Sequence, residues 1–307
     1  MAVCIGSGSA GPRELLDLMR GADDPAARDV LLRLRLPRAL AAFGTGASLS
    51  LAGVLMQVLL RNPLADPYIL GTSGGAAVTT LTAMLLGGSG LLLDLTAFCG
   101  ALGSTLLVFV IAYAGGQWTP GRLLLTGVVI AAGWSAVVSL MLALSPERNL
   151  RGILFWLMGD FSFASDPSMV LIIASLALSA GLVLSRSLNV LATGDQQAAL
   201  LGLRVKPMRM MVYVLSSLLT AVAVTTAGTV GFVGLVVPHL IRLIGGADHR
   251  VVIPGAALAG GSLLVVADTL ARTVAAPRQL PVGAITAMVG VPLFLFLLRR
   301  SVAATRP

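Results

Sequence analysis

The sequence is poor in charge. Of its 307 residues only 11% are Asp, Glu, Lys or Arg, whereas 57% are apolar and the mean hydropathy is +0.95. A typical soluble domain carries about 25% charged residues, so this chain lacks the polar surface needed to coat a globule of its size. A soluble enzyme, a disordered chain and a coiled coil are excluded. Lysine is almost absent, Lys206 standing alone after Val205, so no phosphate-binding Gly-Lys-Ser/Thr loop exists. Any ATP-driven step would draw its energy from a partner. The two cysteines, Cys4 and Cys99, provide neither a disulfide framework nor metal-ligand spacing. No His, Tyr or Met cluster forms a metal or haem ligand set, so no metal site, cofactor or catalytic residue is assigned. The basic residues, 21 against 13 acidic, are scattered. They form no cluster suited to a nucleic-acid backbone.

What is present is a series of long apolar runs. A bilayer core needs about 20 apolar residues per helix. Runs near 39–60, 68–87, 91–114, 121–144, 168–186, 209–227, 230–245, 251–271 and 282–298 predict nine spans. They are too long for barrel strands and lack strand alternation. The expected fold is all-α: a polytopic transmembrane helical bundle forming one domain over residues 1–307. Its parts would be an outer-side segment 1–38, the bundle 39–298 and a cytoplasmic tail 299–307. Gly and Pro interrupt several runs, notably around Pro238 and Pro281, which predicts a multi-helix assembly with a pathway. Gly46, Ser50 and Gly53 predict one close-packing helix face, and Gly255, Ala259 and Ser262 another.

Arginine placement predicts the orientation. Alternating nine spans puts Arg61, Arg122, Arg186, Arg204, Lys206, Arg209, Arg242, Arg250, Arg299, Arg300 and Arg306 on one side. Only Arg148, Arg151, Arg272 and Arg278 fall on the other. The first side is therefore read as cytoplasmic. The N-terminal segment conflicts with this, because its six arginines, Arg13 to Arg38, would then lie outside. Met1 to Ser9 resembles the tail of a hydrophobic helix, so a further span encoded upstream of Met1 is expected.

Several polar segments stand out. Arg61-Asn62-Pro63-Leu64-Ala65-Asp66-Pro67 is a proline-bracketed break, read as a rigid connector or as a gate at a pore mouth. Gly194 to Leu203 predicts a short amphipathic helix closed by Gly202, either a plain surface helix or one that docks into a partner's groove. Arg33 to Arg38 and Arg272 are expected at the outer helix mouths, as interfacial anchors or as receivers of carboxylates. Asp268 and Arg272 have the spacing of a local helical ion pair, and a proton-coupling role for Asp94 or Asp268 is a weaker reading. Gly71-Thr72-Ser73-Gly74 has the form GxSG. As an intramembrane serine protease the chain would need Ser73 to meet His239; a small-residue turn is the plainer reading.

Taken together, the segments resemble one family. Arg35-Leu36-Pro37-Arg38, Gln57 with Arg61 to Pro67, and Leu70-Gly71-Thr72-Ser73-Gly74-Gly75-Ala76 resemble the first half of the FecCD/BtuC-type permeases. Phe155-Trp156-Leu157-Met158-Gly159, Gly231 to His239, Ala267 to Arg272 and Leu280-Pro281-Val282-Gly283 are similar to the second half. These are membrane subunits of type II ABC importers for vitamin B12, ferric siderophores and haem, with ten helices per subunit against nine here. The resemblance implies a homodimer or a dimer with a paralogue, two ATP-binding subunits below, a periplasmic binding protein above, and a home in the bacterial inner membrane. It implies that Arg35, Arg38 and Arg272 receive acidic knobs of the binding protein. It also implies that Asp195, Gln196, Ala198 and Gly202 belong to an ATPase-coupling helix. The family usually has glutamate where Asp195 stands. Asn62, Pro63 and Leu64 match the cytoplasmic gate, and Ser135 and Ser139 are candidate pathway-lining residues on the fourth span. The sequence around Met158-Gly159-Asp160-Phe161 is more similar to siderophore and cobalamin members than to haem members, so an iron-siderophore or cobalamin-type chelate is the expected cargo and haem the alternative. A proton-coupled secondary transporter remains a further alternative.

Overall fold

A computed structural model describes Arg20 and residues 24–113, 119–162, 164 and 166–304. Met1 to Ser9, Cys4, Arg13 and Arg306 lie outside the described residues. Within them the chain is all-helical, with eleven helices and no strand. We number them α1 Pro25–Leu60, α2 Thr72–Leu85, α3 Leu91–Tyr113, α4 Pro120–Leu144, α5 Glu147–Leu157, α6 Ser168–Ala192, α7 Asp195–Leu200, α8 Val205–Ala227, α9 Val233–Gly245, α10 His249–Thr273 and α11 Val282–Ala304.

Six of these, α1, α3, α4, α6, α8 and α10, are long and apolar enough to cross a membrane. Of the other three expected spans, two fall on the shorter helices α2 and α9, and on α11 only the stretch Val282–Leu297 counts as apolar helix, so the count of nine is not met by length alone. Pro and Gly explain the shortening of α2 and α9. Helix α2 starts only after the turn Pro67–Leu70 and a left-handed Gly71. Helix α9 starts after Phe232, whose φ is +70°, and carries Pro238. A second difference lies at the N-terminal side. The segment expected as an outer connection up to residue 38 is helical from Pro25, and a π-helical stretch, Asp29–Arg35, runs directly into the rest of α1. Pro37 does not break the helix because it enters just after this widened turn, where the usual backbone hydrogen bonds are already rearranged.

Helix α1 is the axis of the bundle, packed by α6, α8, α9 and α10. Two glycines allow this. A side chain at Gly46 would overlap the Gly260 carbonyl of α10, and one at Gly53 would overlap the Gly234 carbonyl of α9. Small residues let helix backbones approach where lipid offers no hydrophobic drive between helices. The expected face on α1 is thus observed. On α10 the contact face is displaced by one residue from expectation: Gly260 and Gly261 meet Ser50 and Phe43, while Ser262 is exposed. Helices α2, α3 and α4 form a second group, joined to the axis largely through α8. Trp134 of α4 donates its indole N–H to Ser104 of α3 at 2.7 Å, and Ser104 donates to the Gly71 carbonyl at 2.8 Å.

The connection after α4 contains a helix that the sequence reading missed. In α5, Ile153 and Trp156 are buried against Ala76, Ala77 and Leu81 of α2. Their three-residue spacing was the available signal.

Candidate functional site: two charged clusters at opposite ends of the bundle

Charged side chains gather around Arg38, inside α1, and around Arg61, just past its C-terminal end. Arg38 and Arg61 are separated by 23 residue steps, about 34 Å at 1.5 Å per residue, close to the thickness of a bilayer core.

At the Arg38 end, the centre is Asp268 of α10, whose residue is 1% exposed. Arg38 places Nε 3.0 Å and Nη2 2.9 Å from Asp268 Oδ1. Arg272 donates Nε to Asp268 Oδ2 at 3.0 Å. The expected local Asp268–Arg272 pair is therefore present, and it is half of a larger arrangement. Arg38 also approaches Asp160 at 3.6 Å, and its Nη1 reaches Ser162 Oγ at 3.3 Å and Gln279 Oε1 at 3.4 Å. Ser162 Oγ in turn lies 2.8 Å from Asp160 Oδ1 and 2.9 Å from Gln279 Oε1, with one proton to give to either. One guanidinium thus ties α1 to α10, to the Asp160–Ser162 turn and to the approach to α11. Arg35 sits close enough to Arg272 to act on it electrostatically.

The expectation of exposed arginines is met only in part. Arg35 and Arg272 are buried, and Arg38 is half-buried. The reason is Asp268, a carboxylate that draws Arg38 and Arg272 inward. A buried carboxylate is retained only when paired and hydrogen-bonded.

At the Arg61 end, the expected short helix exists as α7, Asp195–Leu200. Gly202 closes it with φ +83°, a conformation that favours glycine. The Asp195 carboxylate faces the bundle: Arg209 of α8 donates to it at 2.9 Å and Arg61 lies 3.7 Å away. Ala198 is fully buried, so it seats the helix instead of presenting it. The surface that α7 does present is Gln196, Gln197, Ala199 and Leu200, continued by Leu201 and Gly202, with Leu200 87% exposed.

Next to this helix is the turn expected as a gate. Arg61 takes a left-handed conformation at the end of α1. Asn62 Oδ1 accepts the Leu64 N–H at 2.9 Å, and Pro63 and Leu64 are exposed. The turn is also held by a residue not singled out for a role. Gln57 is buried and its two amide N–H groups are shared among the carbonyls of Ala65, Gly234 and Leu235 at 3.3–3.4 Å, while Arg242 donates to its oxygen. A lone amide inside an apolar span was the signal that could have found it. Farther along the turn, burial pushes the Asp66 carboxyl up to about 6, although it accepts the Tyr68 N–H.

Ser135 and Ser139 do not join either cluster. They lie on the exposed side of α4, where Ser139 donates back to the Ser135 carbonyl at 2.9 Å. Ser73 and His239 are not brought together either. Helix α2 packs on α3, α4, α5 and α8, whereas α9 packs on α1, α10 and α11, and no hydrogen bond joins the two residues. The protease reading has no geometric support.

The match to the FecCD transport family model covers residues 1–300. The chain belongs to this family. It is 40% identical to the hemin transport system permease protein HmuU of Yersinia pestis over 308 residues, covering 97% of this chain and 92% of that one. It is 38% identical to the vitamin B12 import system permease protein BtuC of Citrobacter koseri over 271 residues, covering 88% of this chain and 82% of that one. A solved structure described as an inward-facing conformation of a metal-chelate type ABC transporter superposes with a TM-score of 0.85 at 34% identity, covering 97% of this chain and 95% of that one. This FecCD-family chain is an ABC importer permease, with the several apolar helices of a multi-pass membrane protein. Hemin and B12 permeases are matched at nearly the same identity.

Proposed function

We propose that the chain is the membrane-spanning subunit of an ATP-driven importer that passes a bulky metal chelate from a periplasmic binding protein to the cytoplasm. The observation that carries this reading is the segregation of charge. Arg38, Asp160, Asp268, Arg272 and Gln279 come from distant parts of the chain and meet at one end, as alternating spans require. Arg61, Asp195, Arg209 and Arg242 come together at the other. On this reading the six long helices and α2, α9 and α11 make nine crossings of the inner membrane, with the Arg61 end cytoplasmic.

The outer arginines receive carboxylates of the loaded binding protein. The exposed strip of α7, led by Leu200 and Leu201, seats in a groove of an ATP-binding subunit. ATP hydrolysis belongs to that subunit and not to this chain. The turn of Asn62, Pro63 and Leu64 closes the inner mouth. Helix α4 is the barest long helix, with 6% of its most apolar stretch buried, and it faces a second permease, a copy of this chain or a paralogue. Ser135 and Ser139 would then line the path between the two. A pathway walled by small and apolar groups suits a transporter that must release its cargo, because fixed strong contacts would trap it.

Reconstitution with the ATP-binding and binding-protein partners tests this directly. Uptake into vesicles is measured for labelled cobalamin, a ferric siderophore and haemin. Accumulation of cobalamin or the siderophore supports the preferred cargo class, and accumulation of haemin alone replaces it with the haem alternative. No accumulation of any chelate sinks the importer reading.

A further inference from the structure

We infer that Asp268 is a positioning residue for the docking surface: it fixes Arg38 and Arg272 in place so that a partner's carboxylate meets a preformed site. The inference rests on the reading of these arginines as the docking contacts.

Asp268 is the most buried charged residue of the outer cluster, and both of its oxygens are used. Arg38 spends Nε and Nη2 on it and turns Nη1 the other way, toward the exposed Ser162 and Gln279 side chains, at the long distances of 3.3 and 3.4 Å. A guanidinium is a planar fork. Pinning one edge therefore fixes the direction of the remaining N–H groups. An incoming carboxylate would replace the long contacts to Ser162 and Gln279 with short, charge-assisted ones. Ordering the arginine beforehand lowers the cost of binding, because a long side chain need not be immobilised on contact.

The sign of one substitution separates positioning from simple charge. Asp268→Asn removes a negative charge beside the docking arginines. Coulomb attraction alone predicts tighter docking of an acidic partner. Loss of positioning predicts weaker docking, by about tenfold.

The experiment uses the complex of this chain with its ATP-binding subunits in nanodiscs, titrated with the binding protein that supports uptake. Arg38 and Arg272 are followed in parallel by phenylglyoxal labelling and peptide mass spectrometry. Asp268→Asn is expected to weaken docking and to raise labelling of both arginines. Asp268→Glu keeps the charge on a longer arm and guards against a folding defect. It is expected to fall between wild type and Asn. Equal or tighter docking by Asp268→Asn, or unchanged labelling, overturns the inference. Arg38→Gln and Arg272→Gln test the underlying reading separately. If they dock like wild type, that reading fails, whereas lost docking in both with unaffected docking in Asp268→Asn overturns the positioning role alone.

Discussion

The two charged clusters along α1, at Arg38 and at Arg61, handle charge differently. In the Arg38 cluster, Asp268 is 1% exposed and is shared by Arg38 and Arg272, whose side chains are 12% and 10% exposed. In the Arg61 cluster, Asp195 is 36% exposed, and its Arg61 partner is 40% exposed at 3.7 Å. Only the Asp195–Arg209 contact is both short and largely covered on one side. Buried, doubly held charge makes a rigid platform, because moving either arginine would strand a carboxylate away from water. Half-exposed charge makes a joint, because water replaces a lost partner at little cost. On the proposed reading, the platform is where the binding protein lands and the joint is where motion enters from the ATP-binding subunit.

Substitutions sharpen this contrast. Asp268→Ala should have the largest effect, about 3–5 kcal/mol of lost stability, since it leaves two arginines crowded without their shared anion. A large fall in the thermal midpoint of the detergent-solubilised protein would show it. Asp195→Ala should cost less, about 1–3 kcal/mol, mostly by leaving Arg209 without its carboxylate. The same thermal series ranks the two, and equal losses would erase the distinction between platform and joint. Arg61→Gln should cost only about 0.2–1 kcal/mol. Its effect should appear instead as ATP hydrolysis less tightly matched to uptake.

The smallest effect is local and depends on pH. Burial raises the Asp66 carboxyl from 3.8 to about 6, so the folded turn holds its proton more tightly than the unfolded chain does. The stabilising contribution is complete below the unfolded value of 3.8 and is lost as pH rises through about 6. Amide exchange of residues 61–71, corrected for intrinsic rate, should therefore be slower at pH 5 than at pH 7.5. Asp66→Asn should remove that difference.

The helices were more legible in the sequence than the contacts that join them. Long apolar runs locate helices, and Gly194 with Gly202 bracket α7 because positive φ is needed on both sides of it. The Asp268–Arg272 pair was legible because it lies within one helix. The Arg38–Asp268 pair was not, because 230 residues separate its members and only folding selects that partner. Burial of Ala198 and the inward turn of Asp195 were hidden for the same reason: a six-residue helix has too few turns to declare its buried face. The continuation of α1 back to Pro25 was masked by arginines at Arg28, Arg33 and Arg35, which read as the end of a span yet sit on a helix.

Energy source is the most direct test of the whole reading. Chelate uptake should be measured in vesicles holding this chain, its ATP-binding subunits and its binding protein, with and without ATP. The expected result is uptake that needs ATP and is indifferent to an imposed proton gradient. Uptake that proceeds on a proton gradient with no ATP would contradict it and restore the secondary-transporter alternative.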